Sequence, residues 1–121
     1  MPKLDSVFSK LKTIMLPYAD RLEVTKNDEV ELCIYTRHTQ KNGKSLFFGA
    51  VQIRKAYVSY HLMPVYVKPE LLLSVSPHLK RRMQGKSCFN FALIDEPLFD
   101  ELAALTKAGF ASYVQQGFVK A

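Results

Sequence analysis

Between Gly43 and Phe91 the chain repeats one pattern three times: an apolar, strand-like run that begins beside a lysine. The runs are Gly43-Lys44-Ser45-Leu46-Phe47-Phe48-Gly49-Ala50-Val51, then Lys55-Ala56-Tyr57-Val58-Ser59-Tyr60-His61-Leu62, then Gln84-Gly85-Lys86-Ser87-Cys88-Phe89-Asn90-Phe91. The second and third alternate polar and apolar residues, the third from Cys88 as far as Leu93, as a strand does when one face is buried and the other wet. The first is apolar at nearly every position to Ile53, which suits a strand in the middle of a sheet.

The flanking segments fit the same plan. Val30 to Thr36 alternates, with Val30, Leu32 and Ile34 on one face and Glu31, Cys33 and Tyr35 on the other. Leu22 to Thr25 reads as a short strand turned at Asn27-Asp28, and Asn42-Gly43 is a hairpin signal. Arg54-Lys55 makes the next tight connection. Leu4, Val7, Phe8, Leu11, Ile14 and Met15 recur at helical spacing until Pro17. Pro64, Pro69 and Pro77 cut the following stretch into short helical pieces. Ser76 is placed as an N-cap, and Gly85 as a helix terminator. Asp95 caps a last helix whose buried stripe is Leu98, Leu102, Leu105 and Tyr113, flanked by Phe99, Phe110 and Val114. The expectation is one α+β domain over residues 1–121, an antiparallel sheet with N- and C-terminal helices packed on one face.

Composition narrows the function classes. The chain has 121 residues, enough to bury a core, with 48% hydrophobic and 23% charged residues. No apolar run is long enough for a membrane span, and charged residues interrupt the N-terminus where a signal peptide would be apolar. Cys33 and Cys88 form no metal-type spacing and read as reduced thiols, so a cytoplasmic location is expected. Charge is segregated. From Arg37 to Lys86 there are ten basic residues and one acid, a balance of +9, against −3 for the rest, which together make the net +6. Such a centre attracts an anion, an acidic partner or nucleic acid, although many basic patches are merely solvated.

Strand parity supplies the candidate binding residues. If the helices cover the apolar face, the opposite face carries Tyr57, Ser59, His61, Cys88 and Asn90, with Lys55 and Lys86 where strands begin. That surface offers aromatic area and a few orienting polar groups to a small anionic ligand or a protein partner. It is also what the wet face of any antiparallel sheet looks like. A second group, Arg54 with Lys80, Arg81 and Arg82, is a candidate phosphate-contacting patch, with Tyr57, Tyr60 and Phe89 as stacking rings if exposed. No standard nucleic-acid signature accompanies it. A catalytic reading requires His61 and Cys88 to be adjacent in a pocket, and the residues contain no complete catalytic constellation.

The three lysine-led runs, with a late helix carrying Leu102, Leu105 and Phe110, make the chain resemble the YdhG-like family of domains of unknown function from about Leu22 to Tyr113. Leu32-Cys33-Ile34-Tyr35-Thr36 stands where many members have a Tyr-Gly-Met-Pro-like turn, which marks a divergent member. The resemblance implies a frataxin-like two-layer fold. Some members are assigned as intracellular iron chaperones for iron–sulfur cluster assembly, so it also implies iron as a possible cargo. The acids available for that role are Asp20, Glu23, Asp28, Glu29 and Glu31, since hard cations favour oxygen ligands. The main expectation is a non-catalytic binding or accessory module without a cofactor, acting through a polar sheet face and basic rim.

Overall fold

The computed structural model describes residues 2–120. Helix α1 (Pro2–Met15) runs into a 3-10 turn (Leu16–Arg21), followed by β1 (Glu23–Asn27), β2 (Glu31–Thr39), β3 (Ser45–Ile53) and β4 (Val58–Leu62). Three short helical pieces follow, α2 (Pro64–Val67), a 3-10 segment (Pro69–Ser74) and α3 (Pro77–Lys80), before β5 (Cys88–Phe91) and α4 (Glu96–Gln115). The strands form one antiparallel sheet in the order β1-β2-β3-β4-β5, giving the expected α+β layout. No described helix is long and apolar enough to cross a membrane.

Each element follows from its residues. In α1 the side chains of Leu4, Val7, Phe8, Leu11 and Met15 are buried while Ser9, Lys10 and Thr13 are exposed. The α-helix ends at Met15 because Pro17 lacks the N–H that the next turn needs, and the chain tightens into the 3-10 turn. Pro64, Pro69 and Pro77 each open one of the three short pieces, where a missing N–H costs nothing. Ser76 Oγ accepts from Leu79 N at 3.2 Å and Asp95 Oδ1 from Leu98 N at 3.3 Å, so both expected caps form. Ser76 Oγ also donates to Glu101 Oε1 at 2.7 Å, pinning the insert to α4. Gly109 completes that junction, because a Cβ there would lie 2.9 Å from Pro64 Cβ.

Three local expectations are corrected. Val30 lies in the β1–β2 turn, 54% exposed, because Asp28 Oδ1 accepts the N–H groups of Val30 and Glu31 and curls the chain before β2 begins. Leu93 lies beyond the end of β5 and is 61% exposed. Gly85 sits well past the end of α3, in a bend before β5, and its φ of +81° turns the chain there instead of ending a helix.

The core lies between sheet and helices. Leu32 and Ile34 of β2, Phe48 and Val51 of β3, Val58, Tyr60 and Leu62 of β4, and Phe89 and Phe91 of β5 meet α1 and α4 there. Tyr60 is fully buried, and its hydroxyl reaches Thr106 Oγ1 at 2.6 Å, so the phenol carries no unmet hydrogen bond into the core. Burial pushes the Tyr60 phenol well above its ordinary pKa, and it stays protonated.

One irregularity organises the centre of the sheet. On β3 the register steps from Gly49 opposite Ile34 to Phe47 opposite Tyr35, so Phe48 is an extra residue, a β-bulge. Phe48 is turned into the core against Tyr18, Phe110 and Tyr113. Gly49 admits the end of α1: an added Cβ would sit 2.6 Å from Met15 Cε and 2.7 Å from the backbone oxygen of His61. The methionine can shift, but the strand carbonyl cannot. Gly49→Ala is therefore expected to destabilise the fold by about 1–3 kcal/mol, the usual cost of overpacking. Urea unfolding would show it as a lower midpoint, and an unchanged midpoint would mean that the close approach constrains nothing.

Candidate functional site

Among the described residues the long helices α1 and α4 pack on one face of the sheet, and the second face is bordered only by α2, at the Phe47 end. Helix side chains reach Phe48, Tyr60 and Phe91, which share the buried parity. The other parity forms two ordered rows across the strands. One is Glu31, Gln52, Ser59 and Asn90, each opposite the next. The other is Cys33, Ala50, His61 and Cys88. Beyond them Tyr35 faces Phe47, and at the opposite end Arg54 faces Tyr57 across the tight Lys55-Ala56 turn, with Arg54 N donating to Tyr57 O at 2.8 Å.

The polar row is tied together. Lys26 Nζ lies 3.2 Å from Glu31 Oε1, Gln52 Nε2 donates to Glu31 Oε2 at 2.6 Å, and Arg54 Nη2 donates to Gln52 Oε1. The hydrogen bond from Gln52, reinforced by Lys26, holds the Glu31 carboxyl below its usual pKa, so it is ionised and already satisfied. The result is a chain of charges and amides with a free guanidinium edge at Arg54.

Aromatic rings make the other half of the face. Tyr35 and Phe47 lie 5.1 Å apart between centroids, and Phe47 and His61 also 5.1 Å. Three adjacent strands thus present three rings in a line. The line continues into a groove of about 560 Å³ lined by Tyr35, Lys44, Phe47, Met63, Tyr66 and Val67 among others, and Tyr66 is 55% exposed.

His61 sits where the two halves meet. Its Nε2 is 2.7 Å from Ser87 Oγ, and Cys88 is its partner across β4 and β5. Partial burial lowers the His61 pKa, keeping the imidazole neutral. Burial raises the Cys88 thiol, and the nearby Arg54 charge only partly offsets this. Cys33 is three strand steps from Cys88 along the row, about 14 Å, beyond the reach of a disulfide.

The sequence-based candidates divide accordingly. Tyr57, Ser59, His61, Cys88 and Asn90 do share this face, although Ser59 is buried beneath its neighbours at 5% exposure. Lys55 and Lys86 lie at opposite ends of it, one in the β3–β4 turn and the other just before β5. Tyr60 and Phe89 are fully buried and so are no stacking surface, because their strand parity points them at the helices. The basic patch is split. Arg54 faces the sheet row, whereas Arg81 and Arg82 line a separate cleft of about 420 Å³ with His78, Asp95, Pro97 and Leu98. Lys80 ends α3 and is exposed.

The acids do not converge. Asp20 lines a different cleft beside Arg21 and Arg37, Glu23 begins β1, and Asp28, Glu29 and Glu31 lie past its far end, about 13 Å away. Asp28 is engaged by the turn N–H groups, which lower its pKa. Among the described residues no group of three or more His, Cys, Asp or Glu side chains is placed to hold a metal ion.

Phe47, Gln52 and Ser87 are the members of this site that alternation misses. Phe47 reaches the open face only because of the bulge, and its available signal was a glycine inside a strand after two phenylalanines. Comparison with protein-family models, with curated proteins and with solved structures finds no match to this chain.

The depressed His61 pKa has a testable sign. Above the ordinary imidazole range both folded and unfolded chains hold the ring neutral. As pH falls through about 6.5 the unfolded chain takes up the proton first, so stability declines. His61→Gln, which retains a hydrogen-bonding group for Ser87, should flatten the urea midpoint between about pH 8 and about pH 5. An identical profile for the two proteins would show that His61 does not titrate below its ordinary range.

Proposed function

We propose that this chain is a non-catalytic binding module whose contact surface is the uncovered sheet face. The observation that carries the reading is the side-by-side placement of the Tyr35–Phe47–His61 ring line and the polar row ending in Arg54. A ligand suited to both halves offers a flat or apolar surface to the rings and negative charge to the cationic rim. Affinity comes from ring area, and orientation from Gln52, Asn90 and Arg54. The only acid in the polar row, Glu31, is already engaged by Lys26 and Gln52 and contributes little repulsion.

The probe is adenosine monophosphate, which joins a flat ring to an anion, titrated into isotopically labelled protein. Amide shifts should cluster at Tyr35, Phe47, Gln52 and His61, and Phe47→Ala should weaken binding about tenfold, in line with about 1–3 kcal/mol per stacked ring. Shifts clustered instead at His78, Arg81 and Arg82 would move the site to the α3–α4 cleft. No shift on the sheet face would reject the reading.

A further inference from the structure

We infer that the ligand of this face is a single-stranded nucleic acid, a deepening that rests on the binding-face reading above. The step from a small anion to a polymer comes from where the cations lie. Lys44 lines the groove with Tyr35 and Phe47 at one end of β3, while Arg54 and Lys55 follow its other end. The strand has nine residues and spans about 30 Å. One phosphate cannot touch both ends, whereas a phosphodiester backbone crossing the face can. Lys86, just before Ser87 and Cys88, stands at the Lys44 end of the neighbouring strands. None of these four cations is within ion-pairing distance of a carboxylate among the described residues.

The rings favour unpaired bases. Tyr35 and Phe47 are inclined at 55° and Phe47 and His61 at 81°, so neither pair is stacked face to face. A duplex hides its base faces in its own stack, and its grooves admit a helix or a narrow ribbon instead of a broad sheet surface. A single strand exposes both faces of each base, and stacking on aromatic side chains accepts any base. Met63, Tyr66 and Val67 extend the apolar surface past Phe47, giving a splayed base somewhere to lie. Gln52 and Asn90 offer amide groups to base edges, but the row is short and partly satisfied internally, so sequence preference should be slight.

The test is fluorescence anisotropy with labelled oligouridylate and oligothymidylate of about twelve nucleotides, at salt from about 50 mM to about 200 mM. Both strands should bind more tightly than adenosine monophosphate, and a self-complementary duplex of the same length more weakly than either. Affinity should fall with salt at a slope of about −0.7 per phosphate contacted. Phe47→Ala should weaken binding about tenfold or more with the salt slope kept. Lys44→Gln with Arg54→Gln, two exposed positions whose change leaves the core intact, should lower the slope by about 1.4. Oligouridylate binding while oligothymidylate does not would restrict the inference to RNA. If adenosine monophosphate shifts the face but the oligonucleotides bind no tighter, the polymer inference fails and the binding face stands. If neither probe shifts the face, both fail. Tight binding lost in Arg81→Gln/Arg82→Gln but untouched by Phe47→Ala would overturn the inference in favour of the other cleft.

Discussion

The bulge at Phe48 decides what each face of the sheet is made of. With strict alternation, Gly49 on the helix side would put Phe48 on the open face and Phe47 in the core. The extra residue reverses this: Phe48 fills the core against Tyr18, Phe110 and Tyr113, and Phe47 emerges between Tyr35 and His61. Tyr113 fastens the arrangement from the helix side by donating its hydroxyl to the Phe47 carbonyl at 2.8 Å. Gly49, next to the extra residue, lets Met15 close over the strand at the same point. Helix docking, core filling and the composition of the open face are therefore set within three consecutive residues. Bulges re-aim side chains in this way, at the cost of one unpaired ladder position.

The two edges of the sheet are treated differently, and this leaves the open face clear. Beyond β5 the chain from Arg82 to Gln84 runs alongside, with Asn90 N donating to Arg82 O and Gln84 N to Cys88 O, both at 2.8 Å. Met83 pairs with Phe89 and packs against the core. At the other side β1 is exposed at all five residues, but its register breaks at Thr25 and Lys26 sits on it, two features that discourage further strand pairing. The insert that supplies the β5 cover is held to α4 by Glu101 and by the Gly109–Pro64 approach. It therefore packs on the helix side and borders the ring line only at the Phe47 end, through Met63, Tyr66 and Val67.

Much of this was legible from residue order because its causes are local. Alternation in β2, β4 and β5 follows from the two-residue strand period, and Leu32, Ile34, Val58, Tyr60, Leu62, Phe89 and Phe91 all lie in the core as that period requires. Prolines mark the starts of the short helices, and Ser76 and Asp95 cap where a side-chain oxygen can reach an N–H three residues on. What was hidden depends on partners distant in sequence. The bulge is a property of β3 against β2, so a period read along β3 alone cannot place Phe47. Tyr60 and Phe89 look like stacking rings until the helices are seen over them. The basic patch looked continuous because Lys80, Arg81 and Arg82 are adjacent in the chain, yet the turn after α3 sends Arg81 and Arg82 to the α4 side, away from Arg54.

Ser87, His61 and Cys88 form a cluster whose composition suggests a nucleophile and its base, and its environment determines what it can do. A cysteine nucleophile needs a stabilised thiolate, usually beside an imidazolium. Here burial moves the two groups the wrong way, raising the Cys88 thiol and keeping His61 neutral. The same burial leaves a neutral imidazole within 2.7 Å of Ser87 Oγ, which is hydrogen-bond distance for a base and a hydroxyl. Ser87 is itself 93% covered, however, and its carbonyl is spent on the sheet, accepting from Leu62 N at 2.8 Å. An acyl donor would have to reach that hydroxyl past the paired β4 and β5. The hydrogen bond anchors His61, whose ring meets Phe47 in a T-shaped contact at 81° with centroids 5.1 Å apart. Burial thus favours the neutral forms of His61 and Cys88, and His61 takes its place beside Phe47 in the aromatic line.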